Sequence, residues 1–169
     1  VATGSVAILS LGSNLGDRER NIRDAVADIS AVPGVSVLAT SGLVETYAVK
    51  LDGVDTTAPA YLNAIVQVTT SLRPEELLAA TAHIETARGR TREERWGDRT
   101  LDIDIVTFGD LEQDDPLLIL PHPRAHERGF VVVPWLEVDP DATLPGLGRI
   151  DALPAASADV RRYPAEALS

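Results

Sequence analysis

The amino-acid sequence predicts an α+β chain built in the order strand, helix, strand, strand, helix, strand. Three observations carry this prediction. Residues 5–11 (SVAILSL) form an apolar run bounded by turn residues, 61–71 (YLNAIVQVTTS) alternate apolar and polar, and 100–108 (TLDIDIVTF) alternate again. Two stretches with apolar residues at helical spacing separate these strands, and a β-branched run over 35–45 supplies the remaining one.

Taken in order, the first strand ends in the turn-rich Gly12-Ser13-Asn14-Leu15-Gly16. Asp17 has the character of an N-cap, and Ile22, Val26 and Ile29 recur at helical spacing, so a helix is expected over 17–30. Pro33-Gly34 breaks it. The strand over 35–45 should be irregular near Gly42. Residues 46–60 have no sustained period and read as a long loop. In the strand after it, Leu62, Ala64, Val66 and Val68 share one face, while Tyr61, Asn63, Ile65 and Gln67 share the other.

Pro74 opens the second helix, which Leu77, Leu78, Ala82, Ile84 and Glu85 extend toward Arg88. Residues 89–98 read as a loop before the strand over 100–108. Beyond Gly109 an acidic excursion leads to 117–120 and then to Pro121-His122-Pro123. Residues 130–138 suit a helix or a strand, with Pro134 inside either. The segment from Asp139, rich in Pro, Gly and Ala, carries no clear pattern. The βαββαβ order is that of a ferredoxin-like sandwich with C-terminal additions, expected as a single domain over residues 1–169.

Composition narrows the function classes. The chain has 169 residues, 44% of them hydrophobic and 24% charged, as in an ordinary globular domain. No apolar run approaches the roughly 20 residues that span a bilayer, so no membrane partner is expected. Residues 1–11 lack the basic start and cleavage site of a signal peptide. Cysteine is absent, which excludes disulfides, thiolate nucleophiles and cysteine zinc sites and agrees with the cytoplasm as the expected compartment. A net charge of −11 argues against nucleic acid as a partner. The cations are nonetheless concentrated. Lys50 is the only lysine, and five arginines, Arg88, Arg90, Arg92, Arg95 and Arg99, fall within twelve positions. Such a cluster in an acidic protein suits a compact, multiply charged small ligand.

Three constellations bear chemistry. Asp102 and Asp104 project from one face of their strand, about 7 Å apart, with Leu101, Ile103 and Ile105 on the other. A pair of carboxylates there suits Mg²⁺, which takes one or two carboxylates and completes its shell with water and phosphate oxygens. The alternative is a solvent-facing strand that happens to carry two aspartates. The arginine segment precedes that strand directly; guanidinium forks bind phosphate bidentately. Its alternative is a solvated loop paired with Glu93, Glu94 and Asp98. Tyr61, Asn63 and Thr46 could pack on and read the amide edge of a fused ring, or could simply occupy a half-exposed strand. His122 and His126 lie four apart around Pro123; His122 reads as a phosphate contact and His126 as a surface or structural residue. No phosphate loop, dinucleotide fingerprint or nucleophile elbow is present.

Four segments together resemble the hydroxymethyldihydropterin pyrophosphokinase family of folate biosynthesis: LSLGSNLGDR at 9–18, YLNA at 61–64, RWGDRTLDIDI at 95–105 and LPHPRAHERGF at 120–130. The resemblance runs from about Val6 to Pro140. It implies transfer of pyrophosphate from ATP to the pterin hydroxymethyl group with release of AMP. It further implies that Asp102 and Asp104 hold two Mg²⁺ ions. Arg90, Arg92, Arg95 and Arg99 would engage the phosphates, with Arg90 and Arg99 aiding transfer, and His122 and Arg128 would add contacts. Glu85, Trp96 and Ile105 would border the nucleotide. Tyr61 and Phe130 would sandwich the pterin, with Asn63 and the stretch from Thr46 to Val49 reading its polar edge. A monomer is expected. Two departures stand out: Thr46 is followed by Tyr47-Ala48-Val49-Lys50 rather than a Pro- and Gly-containing stretch, and the spacing from Arg92 to Arg95 is one residue short. The competing class is a non-catalytic ferredoxin-like regulatory module that binds a small ligand.

Overall fold

A computed structural model describes residues 4–46, 48–50, 53–55, 60–88 and 100–163. In chain order the first half contains β1 (Ser5–Ser13), α1 (Arg18–Ser30), β2 (Val35–Thr40), β3 (Val44–Thr46), β4 (Ala48–Lys50), β5 (Gly53–Asp55), β6 (Tyr61–Thr70) and α2 (Pro74–Ala87). There follow β7 (Asp102–Phe108), β8 (Gln113–Asp115), β9 (Leu118–Leu120), α3 (Gly129–Val138), β10 (Thr143–Leu144), β11 (Gly148–Arg149) and β12 (Arg161–Arg162).

The main sheet runs β12-β3-β6-β1-β7, with β2 also paired to β6. All its pairings are antiparallel. Stripped of additions, the order β7-β1-β6-β2 is that of the ferredoxin-like sandwich expected from the sequence. The interruption near Gly42 is real. Between β2 and β3, Ser41 keeps the centre of β6 bonded: its N–H donates to the Ile65 carbonyl, and its hydroxyl accepts the Ile65 N–H at 2.8 Å.

Alternation, shifted at one point in the β1–β7 pairing and one in the β2–β6 pairing, divides the sheet into two faces. Leu9 and Leu11 of β1, Leu62, Ala64, Val66 and Val68 of β6, and Ile103 and Ile105 of β7 point to one side. There they meet Ile22, Ala25, Val26 and Ile29 of α1 and Leu77 and Ile84 of α2. Asp17 caps α1 as expected, accepting the Arg20 N–H at 3.2 Å. Arg88, at the end of α2, forks onto Asp28 at 2.8 and 2.9 Å and so ties the two helices together.

The second face carries a smaller core in which Ile8, Ile65 and Val106 pack under Val131, Val132 and Trp135 of α3. Residues 130–138 are therefore a helix, with Pro134 buried inside it. Valines and Trp135 at three- and four-residue spacing find an apolar sheet face, and that burial outweighs the backbone bond lost at the proline.

One expectation is corrected and one open segment is resolved. Residues 46–60 contain a hairpin, β4 with β5, in which Ala48 pairs with Asp55 and Lys50 with Gly53. The Asp52-Gly53 dipeptide between Val49 and Val54 is a hairpin signal in the sequence. The C-terminal segment is also structured. It forms the β10–β11 hairpin and then returns to the main sheet, where Arg161 and Arg162 pair with Glu45 and Val44.

Leu9 is fully buried on β1, an interior strand of the sheet. Leu9→Ala should therefore lower the unfolding free energy by about 3 kcal/mol in a urea titration.

Candidate active site

Helix α3 covers only the middle of the second sheet face. At one end, beside its first turn, a pocket of about 500 Å³ remains open. Sheet register builds its floor. Asn63, Gly12 and Asp102 lie in one row across β6, β1 and β7, and Ser10 pairs with Asp104 in the next row along β1. Gly12 is there for space. A Cβ at this position would lie 2.9 Å from the Asn63 Oδ1, so a side chain would drive the amide out of place. Without one, Asn63 and Asp102 face each other across an open strip about two strand spacings, roughly 10 Å, wide.

The turn after Gly12 is held from α1. Asn21 donates its amide to the Ser13 hydroxyl at 3.2 Å and to the Leu15 carbonyl at 2.9 Å, while Gly16 takes a φ of 67°. Tyr61 and Thr46, paired between β6 and β3, form one wall. Asn63 is buried, and its Nδ2 donates to the Thr46 hydroxyl at 3.1 Å, which leaves Oδ1 as the acceptor beside Gly12. Phe130, Arg128, Glu127 and Arg124 form the opposite wall, and the Arg128 guanidinium stands 5.7 Å from the Phe130 ring centroid.

Both aspartates face this pocket, Asp102 half-buried and Asp104 exposed. Asp104 also borders a second cavity, a groove of about 270 Å³ along the outer edge of β7. Leu78 of α2, Ile103 and Ile105 of β7, and Leu117 and Ile119 around the β8–β9 hairpin give that groove apolar sides; His122 and Pro123 close its end. Burial pushes the His122 imidazole below its ordinary pKa, and Arg128 and Arg124 add to this against the opposing charge of Asp104. His122 is accordingly neutral at pH 7. Its Nδ1 accepts the Arg124 N–H at 3.2 Å, so the ring proton sits on Nε2, available as a donor.

The expected site residues are placed as follows. Thr46, Tyr61, Asn63, Asp102, Asp104, Arg128 and Phe130 meet in the main pocket, and Ile105 and His122 line the groove. Glu85 is buried on α2, where its carboxylate accepts the Ile103 N–H at 2.8 Å, between the two aspartates on β7. Val49 sits on β4, where the backbone alone is described. Arg90, Arg92, Arg95, Trp96 and Arg99 lie outside the described residues. Ser10, Gly12, Arg124 and Glu127 were not singled out by chemistry in the sequence. All four do fall within its recognisable motifs, Ser10 and Gly12 in residues 9–18 and Arg124 and Glu127 in residues 120–130.

Comparison with known proteins identifies the family. The 7,8-dihydro-6-hydroxymethylpterin-pyrophosphokinase profile matches residues 8–140. The chain belongs to that family. The 2-amino-4-hydroxy-6-hydroxymethyldihydropteridine pyrophosphokinase of Bacillus subtilis is 45% identical over 134 residues, covering 79% of this chain and 78% of that enzyme. The Methylorubrum extorquens enzyme of the same name is 41% identical over 140 residues, covering 83% and 86%. A solved HPPK-DHPS structure in complex with substrates superposes with a TM-score of 0.66 at 12% identity, a likeness of fold. That superposition spans 90% of this chain but 43% of the solved one.

The Glu85 carboxylate is a buried acceptor for a backbone donor. Glu85→Ala should cost about 1–3 kcal/mol in chemical denaturation, and Glu85→Gln, which keeps an acceptor oxygen, less than half of that.

Proposed function

We propose that this chain transfers pyrophosphate from ATP to the hydroxymethyl group of 6-hydroxymethyl-7,8-dihydropterin, releasing AMP, as a step of folate synthesis. One observation carries the reading beyond family membership: Asp104 stands where a polar pocket with aromatic walls joins an apolar groove. A planar heterocycle and a nucleotide base each have a cavity of suitable character, and carboxylates stand at the junction.

In this reading the pterin lies between Tyr61 and Phe130. The Oδ1 of Asn63 accepts from its amino group, and Thr46 contributes a hydroxyl and backbone groups nearby. The adenine occupies the groove beside Ile105, with Glu85 supporting the strand at its back. His122, through Nε2, and Arg128 contact the phosphates. The segment carrying Arg90, Arg92, Arg95, Trp96 and Arg99 joins α2 to β7, the two elements that border the groove, and its guanidinium groups are assigned to the polyphosphate.

The donor set suits a hard divalent cation: two carboxylates on one strand face, open to solvent and to an incoming phosphate. Asp102 and Asp104 would hold two magnesium ions, which when bound would offset phosphate charge and polarise the attacking hydroxyl. The pterin oxygen forms a bond to the β-phosphorus as the bond to the bridging α,β-oxygen breaks. AMP leaves, and the hydroxyl proton passes to solvent. The protein supplies positioning and charge compensation. A cytoplasmic monomer belongs to the same reading. No observation favours the non-catalytic module.

Release of AMP from ATP, dependent on added hydroxymethyldihydropterin and magnesium, tests the proposal directly. Asp104→Ala should lower turnover about a hundredfold or more while leaving the circular dichroism spectrum and thermal midpoint unchanged; near-normal rates at modest magnesium would refute the metal role. Gly12→Ala should raise KM for the pterin about tenfold, with KM for ATP little changed, because the added methyl displaces Asn63.

A further inference from the structure

The family profile ends at residue 140, yet the chain comes back to the site after it. Its contacts fall on Gly129, Glu45, Glu137, Leu43 and Arg18, most of them close in sequence to residues of the pterin side of the pocket. Ala158 and Val160 lie over Gly129, the residue before Phe130. A Cβ on Gly129 would sit 2.4 Å from the Ala158 Cβ and 3.2 Å from the Val160 Cγ2. Arg161, paired with Glu45, binds the Glu45 carboxylate. Arg162, paired with Val44, reaches the other sheet face and binds Glu137 of α3, whose second oxygen accepts the Gly42 N–H at 3.1 Å. Tyr163 donates its N–H to the Leu43 carbonyl at 3.1 Å, and its ring lies 5.7 Å from the Arg18 guanidinium.

Glu45 is the node of this arrangement. Thr46, its neighbour on β3, faces the pocket, so alternation turns Glu45 to the opposite face. There Arg18 binds its Oε2 at 2.8 Å and, with the same nitrogen, donates to the Ala60 carbonyl at 2.7 Å. Ala60 immediately precedes Tyr61. One guanidinium therefore links the residue before Tyr61 to the residue before Thr46, and the tail secures the same carboxylate from its other side. With side-chain exposures of 23% and 16%, Arg18 and Glu45 are shielded enough for the pair to hold geometry that a fully exposed pair would not.

We propose that Glu45, held between Arg18 and the returning C-terminal residues Arg161–Tyr163, is a positioning residue that sets the pterin wall made by Thr46 and Tyr61. The tail fixes the Phe130 side of the pocket through Gly129 and Glu137. This inference rests on the pyrophosphokinase reading. It predicts an asymmetry that a merely structural role would not give, because none of these contacts involves the apolar groove assigned to the nucleotide.

The test uses the full chain. Arg161 and Arg162 have side chains 60% and 57% exposed, so Arg161→Gln with Arg162→Gln leaves the core intact. The double variant and Glu45→Gln should each raise KM for the pterin about five- to tenfold, with kcat at saturating pterin and KM for ATP within about twofold. Calorimetric Mg–ATP binding should match the parent, and Arg161→Lys with Arg162→Lys should recover at least half of the loss. The penalties of Glu45→Gln and Arg161→Gln should combine to less than their product, since both remove one contact. Unchanged pterin KM, or both KM values rising together with a fall in thermal midpoint, would overturn the inference while pterin-dependent AMP release by the parent stands. Absence of that release from the parent chain would remove the functional reading itself.

Discussion

Apolar cover on the second face of the sheet stops where α3 begins, and the site follows from that boundary. Val131, Val132 and Trp135 seal Ile8, Ile65 and Val106, but the helix starts at Gly129 and reaches no farther along the strands. Beyond it the same strands continue with Gly12, Asn63, Asp102 and Asp104 on the open face. Their immediate neighbours Leu11, Leu62, Ile103 and Ile105 are locked in the core on the other face. Period-two alternation thus gives each polar group a rigid apolar anchor one residue away. Functional side chains mounted on such strands are placed more firmly than side chains on loops.

The supports beneath the site are themselves polar and come from distant sequence. Ser41 completes the ladder at Ile65, Glu85 bonds the backbone between the two aspartates, and Asn21 holds the turn after Gly12. Glu85 thereby brings a third acidic side chain to the backbone of β7 between the pair. In the proposed reaction the nucleotide arrives with its cation, and the guanidinium groups nearby in sequence are assigned to its phosphates.

Much of this could be read from the sequence because the signals were local. Alternation in TLDIDIVTF and YLNAIVQVTT fixed both the strands and the faces of Asp102, Asp104 and Asn63, and Asp17 fixed the start of α1. The misses were long-range. Residues 130–138 become a helix because of the sheet face they meet, which their own composition does not encode. The tail has neither alternation nor helical period, and its strand exists only through pairing with β3. The bond from the Ile103 N–H to Glu85 joins residues eighteen apart, a relation no local pattern carries. The groove escaped notice for the same reason, since Leu78, Ile105 and Leu117 are brought together only by the crossing of α2 and the β8–β9 hairpin over β7.

The outer edge of β7 has a consequence for solubility. An edge strand offers ladder groups on which another sheet can grow, and this one carries the aspartates, so it cannot be buried under a helix without closing the site. Here the Ile103 N–H is occupied by a carboxylate and the Val106 carbonyl by the His122 N–H. Two non-strand partners interrupt the row of donors and acceptors that templated aggregation requires. The border stays permeable to small solutes while remaining unfit for the docking of a neighbouring strand.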